Sequence, residues 1–228
     1  MKLFVFQHCP YCIKAMMVAA YKKIDVEWVY LQNHDVDARI AKVGANMVPI
    51  LQKPDGSYMA ESLDIAAYFD ALDGQPSLTA AEFGDEISEW QRQIAPFNGP
   101  LVHPRWMMID LPEFQLPEAK AWYTKNKSAM IGMSFEQAYA NTTDFLEPIN
   151  VLLSKLNWLR LPSERSKLNW LRLPSERSNQ LSYDDVNLYP TLRNLTVVKG
   201  IQFPERVRQY LDEITALTTI PLYDEVAV

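Results

Sequence analysis

Residues 2–6, KLFVF, form an apolar run of strand length, and the chain then turns through HCPYC into IKAMMVAAYKK. The second stretch is rich in good helix formers and ends in lysines, which suit a helix C-terminus. Pro10 fits the first turn of that helix, where its missing N–H would have had no partner. VEWVYL at 26–31 is β-branched and aromatic and predicts a second strand. DVDARIAKVG predicts a short helix closed by Gly44. VPIL (48–51) and SYMA (57–60) predict two short strands joined by a PDG turn at 54–56, a hairpin pattern. SLDIAAYFDAL (62–72) has apolar spacings of three and four and predicts a helix beginning near Ser62. The expected order is β-α-β-α-β-β-α, a parallel half followed by a hairpin.

The pattern breaks at 73–82, which reads as a linker. Beyond it the periodicity is helical, near 83–96, 117–129, 134–158, 183–199 and 204–217. Ser182 and Asp185 have the spacing of a capping box, with Leu181 and Val186 flanking as a hydrophobic staple. Pro204 stands where a last helix would begin. The chain is therefore expected to hold an α/β domain at 1–72 and an all-helical domain at 83–228. SKLNWLRLPSER at 154–165 recurs unchanged at 166–177. Two copies of twelve are too few and too short for a solenoid. The segment is expected on the surface, because a loop accepts extra length at small entropic cost whereas a packed core does not. Trp158 and Trp170 are expected to differ in exposure.

Composition changes this picture little: 228 residues, 48% hydrophobic and 22% charged, as in an ordinary globular protein. The formal charge of −6 argues against nucleic acid or anionic membrane as partner. No apolar run is long enough to span a bilayer, and Met1–Phe6 is too short for a signal-peptide core, so a cytoplasmic location is expected.

The cysteines change it most. There are two, Cys9 and Cys12. A secreted disulfide scaffold would carry more, a structural zinc site needs four ligands, and a haem-attachment motif would have His where Ile13 stands. Redox chemistry remains. Cys9 falls at a strand-to-helix corner, where unpaired N–H groups and the helix dipole stabilise a thiolate. Cys12 follows one turn later on the same face and can reach it. Pro49, opening a strand across from that corner, is a candidate cis residue, leaving the Val48 backbone free to pair with an extended peptide. Ser62 at a helix start suits a carboxylate, and Glu61 an amino group. Alone, such a Pro and Ser are ordinary structural residues.

HCPYC (8–12), VPIL (48–51) and ESLDIAAY (61–68) resemble glutaredoxins. The helical second domain and the capping box resemble the glutathione S-transferase fold, and LYPTLRNLTVVKGI (188–201) extends the likeness to bacterial two-domain glutaredoxins of that architecture. The resemblance implies a thioredoxin-like N-terminal domain and a glutathione-dependent thiol-disulfide oxidoreductase. It implies Cys9 as nucleophile, Cys12 as resolving thiol, and Pro10 and Tyr11 lining the site. Val48 before cis-Pro49 would pair with the glutathione backbone, and Glu61 and Ser62 would hold its γ-glutamyl end. Glutathione is then a co-substrate, no metal or permanently bound cofactor is needed, and the partners are glutathionylated or disulfide-containing proteins met by a monomer. Where single-domain glutaredoxins carry a basic residue before the motif, Gln7 and His8 stand here, and Met16 is apolar where a basic residue is expected. Both departures weaken the expectation of an acidic Cys9; a charged His8 could compensate, although a histidine at a helix start is more often simply solvated. Two rivals remain. A glutathione-conjugating transferase would have no need of Cys12. A non-catalytic glutathione-binding module would need neither cysteine at this spacing.

Overall fold

A computed structural model describes residues 1–156 and 173–228. Within these the chain forms two compact units, Met1–Pro76 with Trp106–Ser134, and Ser77–Arg105 with Phe135–Val228. Division by packing thus differs from division along the chain.

The first unit begins with β1 (Lys2–Val5), α1 (Pro10–Tyr21), β2 (Glu27–Tyr30), α2 (Val36–Val43), β3 (Ile50–Gln52), β4 (Tyr58–Met59) and α3 (Ser62–Ala71). The sheet order is β2-β1-β3-β4. β1 and β2 run parallel, whereas β1/β3 and β3/β4 are antiparallel. This is the order read from the residue pattern. α2 starts where the Asp35 carboxylate accepts the Ala38 N–H at 3.0 Å, and it ends at Gly44, whose φ of 73° few other residues adopt at low cost. Leu3 and Val5 on β1, Ile13 and Met17 on α1, and Ile65 and Phe69 on α3 are all fully buried. Each contributes roughly 1.5–3 kcal/mol by leaving water.

Trp106–Ser134 brings a single 3₁₀ turn at Pro112–Phe114 and the helix α5 (Pro117–Ile131) into this unit. The turn is tied to the loop after β2. The Gln32 side-chain amide donates to the Pro112 carbonyl at 2.8 Å, and the Asn33 N–H to the Glu113 carbonyl at 3.0 Å.

The second unit contains α4 (Gly84–Trp106, its last residue in the first unit), α6 (Phe135–Ala140), α7 (Thr142–Ser154), α8 (Tyr183–Leu195) and α9 (Glu205–Thr218). Two elements depart from the residue pattern. α4 runs ten residues past the expected stop at 96, through Pro96, Pro100 and Pro104. Leu101 and Val102 are buried beyond the first proline, and the Arg105 guanidinium donates to the Leu101 carbonyl at 2.7 Å, so packing overrides the usual proline stop. The helix expected over 134–158 is two helices, broken at Asn141, where the Thr142 hydroxyl donates to the Tyr139 carbonyl at 2.6 Å. Pro204 sits one position before the first residue of α9.

Trp158, Trp170 and most of the repeat at 154–177 lie outside the described residues. At its described ends, however, Leu156 and Leu173 are buried. The second copy closes in a 3₁₀ turn, Pro174–Arg177, where Ser175 donates to Glu213 and Glu176 pairs with Arg206. Its final Arg177 forms an ion pair at 2.9 Å with Asp185. Whether the repeat lies on the surface is a matter of residues 157–172, which lie outside the described residues.

Candidate active site

β1 and α1 meet at the redox motif. Phe6 ends the run of β1, its N–H donating to the Cys12 sulfur at 3.3 Å, while the Cys9 N–H donates to the Phe6 carbonyl at 3.3 Å. Cys9 occupies the cap position of α1, with extended backbone and no side-chain cap; Pro10 is the first helical residue. Both cysteines are free thiols; Cys9 is partly exposed and Cys12 fully buried. Tyr11 is 59% exposed, with the Lys14 ammonium 5.6 Å from its ring centre.

The two sulfurs are electrostatically unlike. The Cys12 side chain hydrogen-bonds to Cys9; burial opposes the effect; the charge of His8 and the backbone N–H groups of Cys12 and Tyr11 add to it. The result is a Cys9 thiol lowered to about 7. Burial, first, and then the hydrogen bond and charge of Cys9 push the Cys12 thiol well up. Near neutral pH, Cys9 is about half thiolate and Cys12 a protonated donor to it.

His8 is not the solvated residue the pattern suggested. It is 7% exposed and enclosed by rings. Its imidazole stacks against Phe6 at 5.9 Å and Phe114 at 5.1 Å, with Tyr123 edge-on at 5.2 Å and Trp106 tilted at 5.8 Å. Its Nδ1 lies 2.5 Å from Glu113 Oε1, and its backbone N–H donates to the same oxygen at 3.0 Å. Glu113 is wholly buried. Burial pushes its carboxyl up, but the hydrogen bonds and charge of His8 outweigh this and hold it below the usual range. Glu113, Tyr123 and Trp106 carry no motif, and nothing in the sequence marks them as neighbours of residue 8. Met16 is buried in the core, where a basic residue would have needed a partner. A cation of this region is Lys127 on α5, which feels the charge of Cys9.

The Val48–Pro49 peptide bond is cis, as the strand-opening proline suggested. Phe4 pairs with Ile50, and Leu51 with Met59. Val48 and Pro49 immediately precede β3, Glu61 follows β4, and Ser62 is the first residue of α3. Glu61 is exposed and holds φ 68°, ψ 115°, a strained conformation for a residue with a side chain, and Ser62 opens α3 nearly buried. Among the described residues no His, Cys, Asp or Glu group is arranged to hold a metal ion. None of the helices described is long and apolar enough to cross a membrane.

A four-stranded thioredoxin-like sheet with a Cys-Pro-Tyr-Cys helix start, followed by helices, defines a glutaredoxin built on the glutathione S-transferase fold. Residues 86–227 match the family model for the glutaredoxin 2 C-terminal domain, and residues 3–77 match that for the glutathione S-transferase N-terminal domain. The chain belongs to the glutaredoxin 2 family, whose members are glutathione-dependent oxidoreductases. It is 37% identical to glutaredoxin 2 of Escherichia coli K12 over the whole of both chains. It is similar to the crystal structure of Salmonella typhimurium glutaredoxin 2 in complex with glutathione, with a TM-score of 0.87 and 36% identity, covering 100% of this chain and 98% of that one. A glutathione S-transferase of Ceriporiopsis subvermispora shares the fold at a TM-score of 0.69 and 12% identity, with 97% of each chain covered.

Proposed function

We propose that Cys9 is the nucleophile of this glutathione-dependent oxidoreductase and Cys12 its resolving thiol. The Cys9 thiolate attacks one sulfur of a disulfide. A new S–S bond forms to Cys9, the old one breaks, and the displaced sulfur leaves with the electron pair and takes a proton. If the bound half is glutathione, a second glutathione thiolate attacks it, releasing oxidised glutathione and restoring Cys9. If it is a protein, Cys12 gives up its proton and displaces it, leaving a Cys9–Cys12 disulfide for two glutathiones to reduce.

The observation that carries this reading is the inequality of the two thiols: a partly exposed Cys9 near half ionisation beside a buried, protonated Cys12. Pro10 and Tyr11 line the site. Val48 offers its backbone to the extended glutathione peptide, while Ser62 and Glu61 take the carboxylate and amino group of its γ-glutamyl end. The strained backbone of Glu61 and the helix start at Ser62 support these roles. The substrates are glutathionylated and disulfide-containing proteins, met by a cytoplasmic monomer. Residues 1–72 form the thioredoxin-like domain, 73–82 the linker and 83–228 the helical domain. The test is turnover of a glutathione mixed disulfide by Cys9→Ser and Cys12→Ser. The first should lose at least about a hundredfold, since no second thiolate stands at the helix start. The second should keep much of that activity while failing on protein disulfides. Wild-type rates from Cys9→Ser would refute the assignment.

A further inference from the structure

We propose that His8 and Glu113 form a buried ion pair that acts as a positioning device for the Cys9 thiolate, supplying the positive charge that the motif itself lacks. The proposal rests on Cys9 being the nucleophile.

Glu113 has no exposure to solvent. A fully buried carboxylate needs a compensating charge, and two donors of His8, its backbone N–H at 3.0 Å and its Nδ1 at 2.5 Å, converge on the same oxygen. The carboxylate does not reach this place by chance of side-chain rotation. Its own backbone carbonyl accepts from Asn33 at 3.0 Å, and the carbonyl of Pro112 accepts from Gln32 at 2.8 Å, so the 3₁₀ turn is fixed against the loop after β2. The imidazole is held in turn by the faces of Phe6 and Phe114, inclined to it by 6° and 26°. Aromatic faces favour a cation, and a water-poor surround strengthens its field on the next residue.

The other ionisable groups around the motif are Cys9 at the cap of α1, Tyr11, Cys12 and Lys14 on α1, Tyr123 and Lys127 on α5, and Arg39 on α2. Arg39 lies 5.2 Å from the Phe6 ring centre and bonds to the Gln32 and Asn33 carbonyls. Lys127 is the second cation whose charge interacts with Cys9. It stands on a half-exposed helix face, whereas His8 is covalently one residue from Cys9 and cannot move away from it. Glu113 acts only through His8: its carboxylate oxygen takes both the backbone N–H and Nδ1 of His8 and so fixes the imidazole next to Cys9 in the chain.

The test is the pH dependence of iodoacetamide alkylation of the full-length protein, with the labelled cysteine identified by peptide mass. His8→Phe paired with Glu113→Gln removes both charges, preserves the ring packing and leaves no lone buried carboxylate. Glu113→Gln alone removes the counter-ion. The wild type should titrate near 7. Both variants should remain folded by circular dichroism, still be labelled at Cys9, and titrate about one pH unit higher, with roughly fivefold less thiolate at pH 7. A merely structural pair would lower the melting temperature and leave the midpoint alone. A folded double variant labelled at Cys9 with an unchanged midpoint would therefore overturn the proposal while leaving the nucleophile assignment intact. Labelling of wild type at Cys12 instead would overturn both.

Discussion

Two helix starts in this chain solve the same electrostatic problem in opposite ways. Every α-helix begins with N–H groups that have no partner within the helix. At α8, side chains satisfy them: the Ser182 hydroxyl accepts from the Asp185 N–H, and the Asp185 carboxylate accepts from the Ser182 N–H at 2.7 Å. Arg177 and the Tyr210 hydroxyl complete the shell around Asp185. At α1 no side-chain cap is present, and the backbone N–H groups of Tyr11 and Cys12 point at the Cys9 sulfur instead. A capped helix start is closed and structural. An open one, with a thiol at the cap position, keeps its dipole for a reacting anion.

The comparison can be broken from the capped side first. Asp185→Ala should leave the Arg177 guanidinium and the Tyr210 hydroxyl without their buried partner and cost about 3 kcal/mol in urea denaturation. Turnover of the protein that remains folded should be unchanged. A loss of activity beyond the unfolded fraction would mean that the α8 cap serves the chemistry. Ser182→Ala removes the cap alone and should cost about 1 kcal/mol. From the open side, Ser62→Ala and Glu61→Ala should raise the KM for glutathione by roughly three- to tenfold at nearly constant kcat, because they touch the remote end of the peptide. A kcat effect without a KM effect would move them next to the reacting sulfur. A change of pH alone sharpens the contrast. Acidification from pH 8 to pH 6 should slow Cys9 alkylation about tenfold, since protonation through a midpoint near 7 removes the thiolate.

What the sequence made legible was local. The motif start of α1, the hairpin, the cis proline and the α8 capping box are each written within about six residues, where dihedral preference and spacing are the physics. The surroundings of His8 were not legible. Its partner Glu113 is 105 positions away, and the Trp106, Phe114 and Tyr123 rings come from the same distant segment. A histidine before a helix reads as solvated until that segment closes over it. The prolines of α4 misled for a related reason: a local stop signal lost to the burial of Leu101, Val102 and Trp106 beyond it. Of the second repeat copy, the described residues Leu173 and Arg177 pack within the helical unit, Leu173 buried and Arg177 paired with Asp185, contacts that the segment's own pattern does not announce.

The most direct measurement is to trap the covalent intermediate. Cys12→Ser, incubated with oxidised glutathione and digested without reductant, should carry one glutathione on the peptide containing Cys9. Cys9→Ser under the same conditions should carry none, because the buried Cys12 is held protonated. Equal adduct formation on Cys12 in the Cys9→Ser protein would contradict the account, since the two thiols would then be interchangeable.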